Sequence, residues 1–226
     1  MRVLLLALLL SAAGCRSGAP RVSIDLPPAP EPLARDLVAA EVGRLLSADT
    51  AASRQAEQRL TSLDHEGRMA LSDHAERIPA ERDPRWLLVL EENHLAPALP
   101  PKEEIAYLLW KSQRAETFYV MKAQNRLLEL ARSEPDAMLL ALDAKPPGDD
   151  VLLVALALAG ERRAFPRLRD RYAAAETAAA RRGPAVALTQ LTGSEVTPRV
   201  QGSPTDIQSD VGRLDAWWAE HQPGDS

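Results

Sequence analysis

One pair of side chains in the sequence has a spacing typical of a metal site. Glu91 and His94 stand three positions apart, so on a helix they share one face, and Glu-x-x-His pairs supply ligands in di-metal helical bundles. Such a site needs further ligands from facing helices, and the chain has no second copy of the motif. The remaining histidines are scattered, at His65, His74 and His221. We interpret the four histidines as solvated turn and cap residues. The alternative is an enzyme or metal-binding protein that uses Glu91 and His94.

The motifs of the common catalytic mechanisms are absent from the chain. It contains no Gly-x-Ser-x-Gly nucleophile elbow, no His-Glu-x-x-His zinc motif, no phosphate-binding glycine loop and no Cys-x-x-Cys-His haem site. The sequence therefore predicts a protein that is not an enzyme. We expect no catalytic residue, metal or cofactor, and no small-molecule substrate is evident.

Arginines are concentrated in one stretch of the sequence, at Arg162, Arg163, Arg167, Arg169 and Arg171. Two interpretations stay open for this basic cluster. It is either the solvated face of a helix or a partner-binding surface for an acidic peptide or lipid headgroup. Over the whole chain, 32 acidic residues outnumber 27 basic ones and the net charge is −5. This balance argues against nucleic acid as a partner, because nucleic-acid binding needs a basic stripe that displaces counterions.

The N-terminus has the pattern of an export signal. Arg2 precedes an apolar run from Val3 to Leu10, and the run is too short to cross a membrane, which takes roughly 20 apolar residues. Small residues at positions 11–14 then lead to Cys15, the only cysteine, and this arrangement resembles a bacterial lipobox. The resemblance implies that residues 1–14 are a lipoprotein signal peptide and that Cys15 is lipidated. The alternative is ordinary signal cleavage, which leaves a free thiol.

A lipid on Cys15 implies attachment to a membrane. Arg16 follows the cysteine, whereas an aspartate there is associated with inner-membrane retention in the enteric-type sorting rule. By this resemblance we expect the outer membrane, on its periplasmic side. Residues 15–31 consist of the lipidated cysteine and a proline-rich stretch, which predicts an extended tether. The remaining residues, 32–226, are enough for one domain with its own core.

The hydrophobic period of residues 32–226 is helical. Apolar residues recur every three or four positions, as at Leu33, Leu37 and Leu45, and there is no sustained β alternation and no Asn-Gly hairpin turn. The sequence therefore predicts an all-α fold. The predicted helices cover about 33–46, 50–63, 64–78, 84–95, 135–142, 149–160 and 161–181, with a short apolar helix after Gly183-Pro184.

Two segments of this domain carry more specific expectations. From Lys102 to Ser133 the chain has neither glycine nor proline, so it forms either one long helix or two helices with a break near Ser112. The break is favoured, because helices average roughly 11 to 12 residues. The segment 149–160 is apolar on nearly every face, which predicts the most buried helix of the domain.

Two stretches near the C-terminus resemble bacterial HEAT repeats. Residues 152–168 combine an apolar helix that ends at Gly160, a charged turn and an Ala-hydrophobic-Pro-x-Leu segment that contains Pro166. Residues 188–193, Leu-Thr-Gln-Leu-Thr-Gly, and the Trp-Trp helix at 210–221 are similar to the end of many of these proteins. The helices between 33 and 142 lack a clean repeat of about 40 to 47 residues, so they are HEAT-like at best.

The resemblance implies a short α-solenoid of HEAT-like helical pairs. The best-matching repeat is 149–193, and a polar insertion at 194–209 separates it from the terminal helix 210–221. Because each pair buries the apolar face of its neighbour, the last pair needs a cap, and Trp217 and Trp218 are predicted to supply it. The alternative is an exposed aromatic contact for a partner.

Taken together, these features predict a membrane-anchored, non-enzymatic lipoprotein of the cell envelope. It is expected to act as an interaction or scaffold module that holds another envelope protein. Two alternatives stay open: an envelope enzyme or metal-binding protein that uses Glu91 and His94, and a structural lipoprotein that contacts the cell wall.

Overall fold

A computed structural model describes residues 35–222 of the protein. The predicted signal peptide 1–14, the lipidation site Cys15 and the tether 15–31 lie outside the described residues. All regular elements between residues 35 and 222 are helical, which confirms the all-α prediction. No helix in that range is long and apolar enough to cross a membrane. The elements are α1 (Arg35–Leu45), α2 (Thr50–Thr61), α3 (His65–Ala75), α4 (Pro84–Glu92), α5 (Pro101–Ser112), α6 (Thr117–Ser133), α7 (Pro135–Asp143), α8 (Asp149–Leu158), a 3₁₀ turn (Arg162–Ala164), α9 (Phe165–Ala174), α10 (Ala178–Leu191) and α11 (Pro204–His221).

Several helices begin at side chains that cap their free backbone N–H groups. The Asp49 carboxylate accepts from the N–H of Ala51 at 2.9 Å, and the Asp64 carboxylate accepts from Gly67 at 2.8 Å. Asp83, followed by proline at the first helical position, caps α4 as predicted. Each such cap contributes about 1 kcal/mol to helix stability, so these polar residues fix where the short helices start.

Several helices pack against the helix two positions away in the chain. Among the odd-numbered helices, α1 contacts α3, α5 contacts α7, and α9 contacts α11. Among the even-numbered helices, α2 contacts α4, α6 contacts α8, and α8 contacts α10. Most helices also pack against a neighbour in sequence, most extensively α1 with α2, α5 with α6 and α9 with α10.

The apolar core consists of two clusters that meet at α4. Trp86, Val89 and Leu90 belong to the cluster built by α1–α4, whereas Leu87 and Leu88 belong to the larger cluster that extends to α11. All five of these consecutive residues are buried. Helix α4 therefore joins the N-terminal helices to the rest of the domain.

The turn after α8 has the predicted local geometry. Gly160 has a positive φ of 85°, a conformation that costs glycine little and other residues more. The N–H of Glu161 donates to the carbonyl of Leu156 at 2.9 Å, which satisfies one of the last carbonyls of the helix. Pro166 lies in the first turn of α9, where its missing N–H costs no helical hydrogen bond.

The prediction of one helix over 161–181 is wrong. The chain leaves the helix after Ala174, and α10 begins at Ala178 because the Thr177 hydroxyl accepts from the N–H of Ala180 at 3.2 Å. Pro184 was expected to separate two helices, but it is buried inside α10. The cap at Thr177 and the burial of Pro184 outweigh the hydrogen bond that proline removes.

The C-terminal helix also differs from its predicted bounds. It starts at Pro204 and not at residue 210, because Ser203 and Asp206 form a reciprocal capping box. Likewise α3 ends at Ala75, before Ile78, and it buries Gly67 and Leu71 while Met69 is exposed. The segment 102–133 contains the favoured break, since α5 ends at Ser112 and α6 begins at Thr117.

Helix α8 is not the most buried helix, contrary to the sequence prediction. Val151 and Val154 are only half-buried, and Leu158 is 42% exposed. By comparison, every residue from Trp86 to Leu90 in α4 is buried. One apolar face of α8 is therefore left open between its even-numbered neighbours.

Candidate functional site

The Glu91 carboxylate is held by groups other than a metal ion. It accepts hydrogen bonds from the Lys111 ammonium at 2.5 Å and from the Tyr107 hydroxyl at 2.6 Å. Burial raises the pKa of Glu91, but these hydrogen bonds outweigh it and leave the pKa below its usual value. His94 is exposed, just beyond the end of α4, with a φ of 61°. Within residues 35–222, no group of three or more His, Cys, Asp or Glu side chains is placed to hold a metal ion.

Burial and the neighbouring Glu91 carboxylate raise the pKa of Tyr107 far above its usual value. The tyrosine therefore stays a neutral hydrogen-bond donor, and the Lys111 ammonium, which is almost fully buried, has the Glu91 carboxylate as its counterion. A buried charge that is paired and hydrogen-bonded in this way avoids most of its desolvation penalty. The cluster thus joins α4 to α5.

The arginines of the predicted basic cluster form ion pairs with carboxylates from several different elements of the fold. Arg163 pairs with Asp136 at 2.7 Å and Glu161 at 2.9 Å, and Arg169 pairs with Asp215 at 2.6 Å. Arg167 bonds the Asp143 carboxylate, and Arg171 bonds the Asp149 carboxylate. Arg162 donates to the backbone carbonyl of His221. The arginines on α9 thus face α7, α8 and α11, and four of the five guanidinium charges are compensated by carboxylates.

The two adjacent tryptophans both lie against the start of α9. Trp218 stacks on Phe165 with ring centroids 4.7 Å apart and an angle of 5° between the rings. Trp217 is buried, lies 5.3 Å from the Phe165 ring and donates its indole N–H to Glu195 at 3.1 Å. Both indoles therefore cover the same buried phenylalanine, and each gains dispersion energy from ring contact.

A buried carboxylate that the sequence did not reveal holds the polar insertion at 194–209 in place. Asp210 is 0% exposed and accepts from the backbone N–H of Arg199 at 2.8 Å and from the Tyr172 hydroxyl at 3.0 Å. It also pairs with Arg213 at 2.5 Å. Burial raises the pKa of Asp210, and the hydrogen bonds lower it by more, so it stays ionised. The sequence carries no signal for this role, because Asp210 looks like any polar residue of an amphipathic helix.

An open groove lies along two of the even-numbered helices, α6 and α8. Between α6 and α8 it has a volume of about 340 Å³. The lining residues are Gln124, Asn125, Leu128, Asp150, Val151, Val154, Ala155 and Leu158. Beside the groove, α8 packs closely against α10, since a Cβ on Gly183 would lie 3.9 Å from Val154.

Exposed apolar side chains lie in this groove and on the helices beside it. Seven large apolar side chains are exposed among the described residues, and four of them lie on α6, α8 and α10, namely Phe118, Met121, Leu158 and Val186. Phe118, Met121, Asn125 and Leu128 follow helical spacing, so they form one stripe along α6. Lys122 lies over the Phe118 ring at 4.3 Å. Apolar side chains on α6 and α8 are thus in contact with solvent beside the polar Gln124 and Asn125.

No protein-family model matches the chain, and no curated protein or solved structure is significantly similar to it. The resemblance of residues 152–168, 188–193 and 210–221 to bacterial HEAT repeats therefore rests on the quoted motifs alone.

Proposed function

We propose that the protein is a membrane-anchored, non-enzymatic scaffold of the cell envelope that holds a partner protein in the groove between α6 and α8. The observation that carries this proposal is the open apolar face of α8. Helix α8 is apolar on nearly every side, yet Val151, Val154 and Leu158 are left in contact with solvent. Covering them with the apolar side chains of a partner gains about 25 cal/mol per Å² of apolar surface removed from water.

The alternating contacts of odd with odd and even with even helices support a short HEAT-like α-solenoid. In such an architecture each helical pair buries the apolar face of its neighbour, and the even-numbered helices form a continuous surface. We place the partner on that surface. The exposed Met121, Leu158 and Val186 each stand on a different helix of the row.

Helix α11 is proposed to cap the C-terminal end of this solenoid. Its Trp217 and Trp218 lie over Phe165 at the start of α9, and its Arg213, Asp215 and Glu220 are exposed to solvent. A terminal helix with one apolar side and one charged side covers the last pair without offering a new apolar end. This role for the tryptophans is favoured over a partner contact because Trp217 is buried.

The predicted partner-binding arginines are less suited to that role than the groove. Arg163, Arg167, Arg169 and Arg171 already pair with carboxylates of the same chain. An acidic partner would have to displace these ion pairs. An apolar partner in the groove displaces only water.

The tether in this proposal is the lipid on Cys15, followed by the proline-rich stretch to residue 31. It rests on the lipobox-like pattern of residues 11–15 and on Arg16, which favours the outer membrane on its periplasmic side. Several acyl chains hold a protein firmly, because each buried methylene contributes about 0.8 kcal/mol. A scaffold anchored in this way keeps its partner near the membrane surface.

Matched substitutions at two exposed leucines test the groove. Leu158 on α8 is 42% exposed and lines the groove, whereas Leu140 on α7 is 67% exposed and lies outside it. We expect Leu158→Asp to abolish recovery of an envelope protein that co-purifies with the wild type from the native host. Leu140→Asp should leave that recovery unchanged. Equal losses from both variants, or a partner that both retain, would contradict the proposal.

A further inference from the structure

An open cleft lies between the connection of α9 to α10 and the start of α11. Its volume is about 650 Å³, within the range of about 300 to 1,000 Å³ that small-molecule sites occupy. Glu176 and Ala178 line one side of it, and Gln201, Gln208 and Ile207 line the other. The cleft is separate from the groove between α6 and α8, and none of the residues that line one lines the other.

Arg181 lines this cleft and carries a buried charge with no counterion. The residue is only 9% exposed. Its Nη1 donates to the carbonyl of Val200 at 3.2 Å, its Nη2 donates to the carbonyl of Ala175, and its Nε has no acceptor. Across residues 35–222, no carboxylate lies within ion-pair distance of it, whereas Arg169 and Arg213 both have carboxylate partners. A buried cation of this kind is stabilised by an anion.

The start of α10 adds a second source of positive potential. Ala178 is the first residue of this 14-residue helix and also lines the cleft. The unpaired N–H groups at a helix N-terminus carry a partial positive charge and favour bound anions. Arg181 lies in the first turn after Ala178. The guanidinium and the helix terminus therefore both contribute positive potential to the cleft.

The charges around the cleft limit the ligand to a single negative charge. Arg181 supplies one uncompensated positive charge, and Glu176 on the rim repels a dianion. Ile207 and Val211 offer an apolar wall, and the Gln201 and Gln208 amides offer polar contacts. We propose that this cleft binds a small organic carboxylate, with the carboxylate at Arg181 and the apolar part against Ile207 and Val211. The site is independent of the scaffold function proposed above.

Arg181 also joins two segments of the chain, since it bonds both Ala175 and Val200. A purely structural clamp would need no anion. The test must therefore detect binding directly in the wild type, and a variant of Arg181 serves only to assign its signal.

The full chain, labelled with ¹⁵N-arginine and purified in detergent, is titrated with hexanoate while the arginine Nε–H signals are followed by NMR. The Arg181 signal is assigned as the one missing from the Arg181→Lys spectrum. We expect hexanoate to shift this signal saturably in the millimolar range and neutral hexanamide to leave it in place. Absence of a saturable shift, or an equal shift with hexanamide, overturns the proposal. A larger, saturable response to inorganic phosphate than to hexanoate overturns the assignment to carboxylates.

An exposed charge on the rim provides a second, fold-neutral test. Glu176→Gln removes the carboxylate that repels the ligand, so hexanoate affinity should rise about fivefold. Glu220→Gln, an exposed change near the other end of α11, should have no effect. Equal affinities in the wild type and Glu176→Gln would contradict the placement of the bound carboxylate.

Discussion

The buried Asp210 carboxylate gives the sharpest prediction about what holds the C-terminal helix in place. Replacing it with asparagine keeps the shape of the side chain but removes its charge. The Arg199 backbone N–H, the Tyr172 hydroxyl and Arg213 all donate to Asp210 in the wild type. The asparagine amide has one acceptor oxygen, whereas the aspartate carboxylate has two. The asparagine NH₂ group would therefore face a hydrogen-bond donor that the second carboxylate oxygen accepts from in the wild type.

The magnitude follows from which partners remain buried. Arg213 and Arg199 are about half exposed, so water solvates them when the charge is lost. The backbone N–H and the tyrosine hydroxyl lose a charged acceptor in a site that is 0% exposed. Hydrogen bonds to charged groups contribute about 1.5–3 kcal/mol, so we expect Asp210→Asn to lower the free energy of unfolding by about 2–3 kcal/mol. For a domain of this size, the Tm should fall by about 5–10 °C.

Urea unfolding followed by far-ultraviolet circular dichroism measures this loss. The matched control is Asp215→Asn on the same helix, because Asp215 is 51% exposed and pairs with Arg169 in solvent. An exposed ion pair contributes about 0–1 kcal/mol. If Asp210→Asn costs no more than Asp215→Asn, the structural role given to the buried carboxylate is wrong.

The contribution of Asp210 to stability should change with pH in a definite direction. Hydrogen bonds hold the pKa of Asp210 below its usual value, so its contribution to stability is complete above the unfolded-state pKa and is lost as pH falls through the folded pKa. The wild type should therefore lose more stability than Asp210→Asn as pH falls below about 4. Parallel acid curves for the two proteins would contradict this assignment.

Three further predictions concern other parts of the fold and the anchor. Burial and the Asp210 carboxylate raise the pKa of Tyr172 to about 12, so the wild type should lose stability as pH rises from about 10 to 12, and Tyr172→Phe should lose less in the same alkaline urea series. Trp217→Ala should lower the free energy of unfolding by about 3–5 kcal/mol and Trp218→Ala by less, because Trp217 is buried and Trp218 is half-buried; equal losses in urea unfolding would contradict the packing described for the two indoles. Cys15→Ser should move the protein from the membrane fraction to the soluble fraction of the native host, since the lipid is the proposed attachment; a variant that stays in the membrane fraction would refute lipidation as the anchor.

Local sequence signals were enough to predict helices and several of their ends. Asp83-Pro84 marks the start of α4, and Gly160 marks the turn after α8, because capping and left-handed backbone depend on one or two neighbouring residues. Thr177 and Ser203 are helix caps of the same kind, at the starts of α10 and α11. The predicted starts of these two helices were wrong because they did not take these caps into account.

Features that depend on distant contacts could not be predicted from the sequence. Lys111 is almost fully buried because Glu91 comes from another helix to pair with it. Arg167 and Arg171 point to a basic surface in the sequence, yet Asp143 and Asp149 approach them only after folding. The groove between α6 and α8 could not be predicted for a similar reason. An apolar helix such as α8 predicts burial, and its sequence does not say that one of its faces lacks a covering neighbour.

The central claim is that the exposed apolar face of α8 holds a partner in the cell. The most direct measurement places a photo-crosslinking amino acid at position 158 in the groove, or at position 140 outside it, and irradiates intact cells of the native host. We expect one discrete adduct of defined mass from position 158 and none from position 140. An adduct pattern that is the same at both positions, or no adduct from position 158 in cells where the protein is abundant, would contradict it.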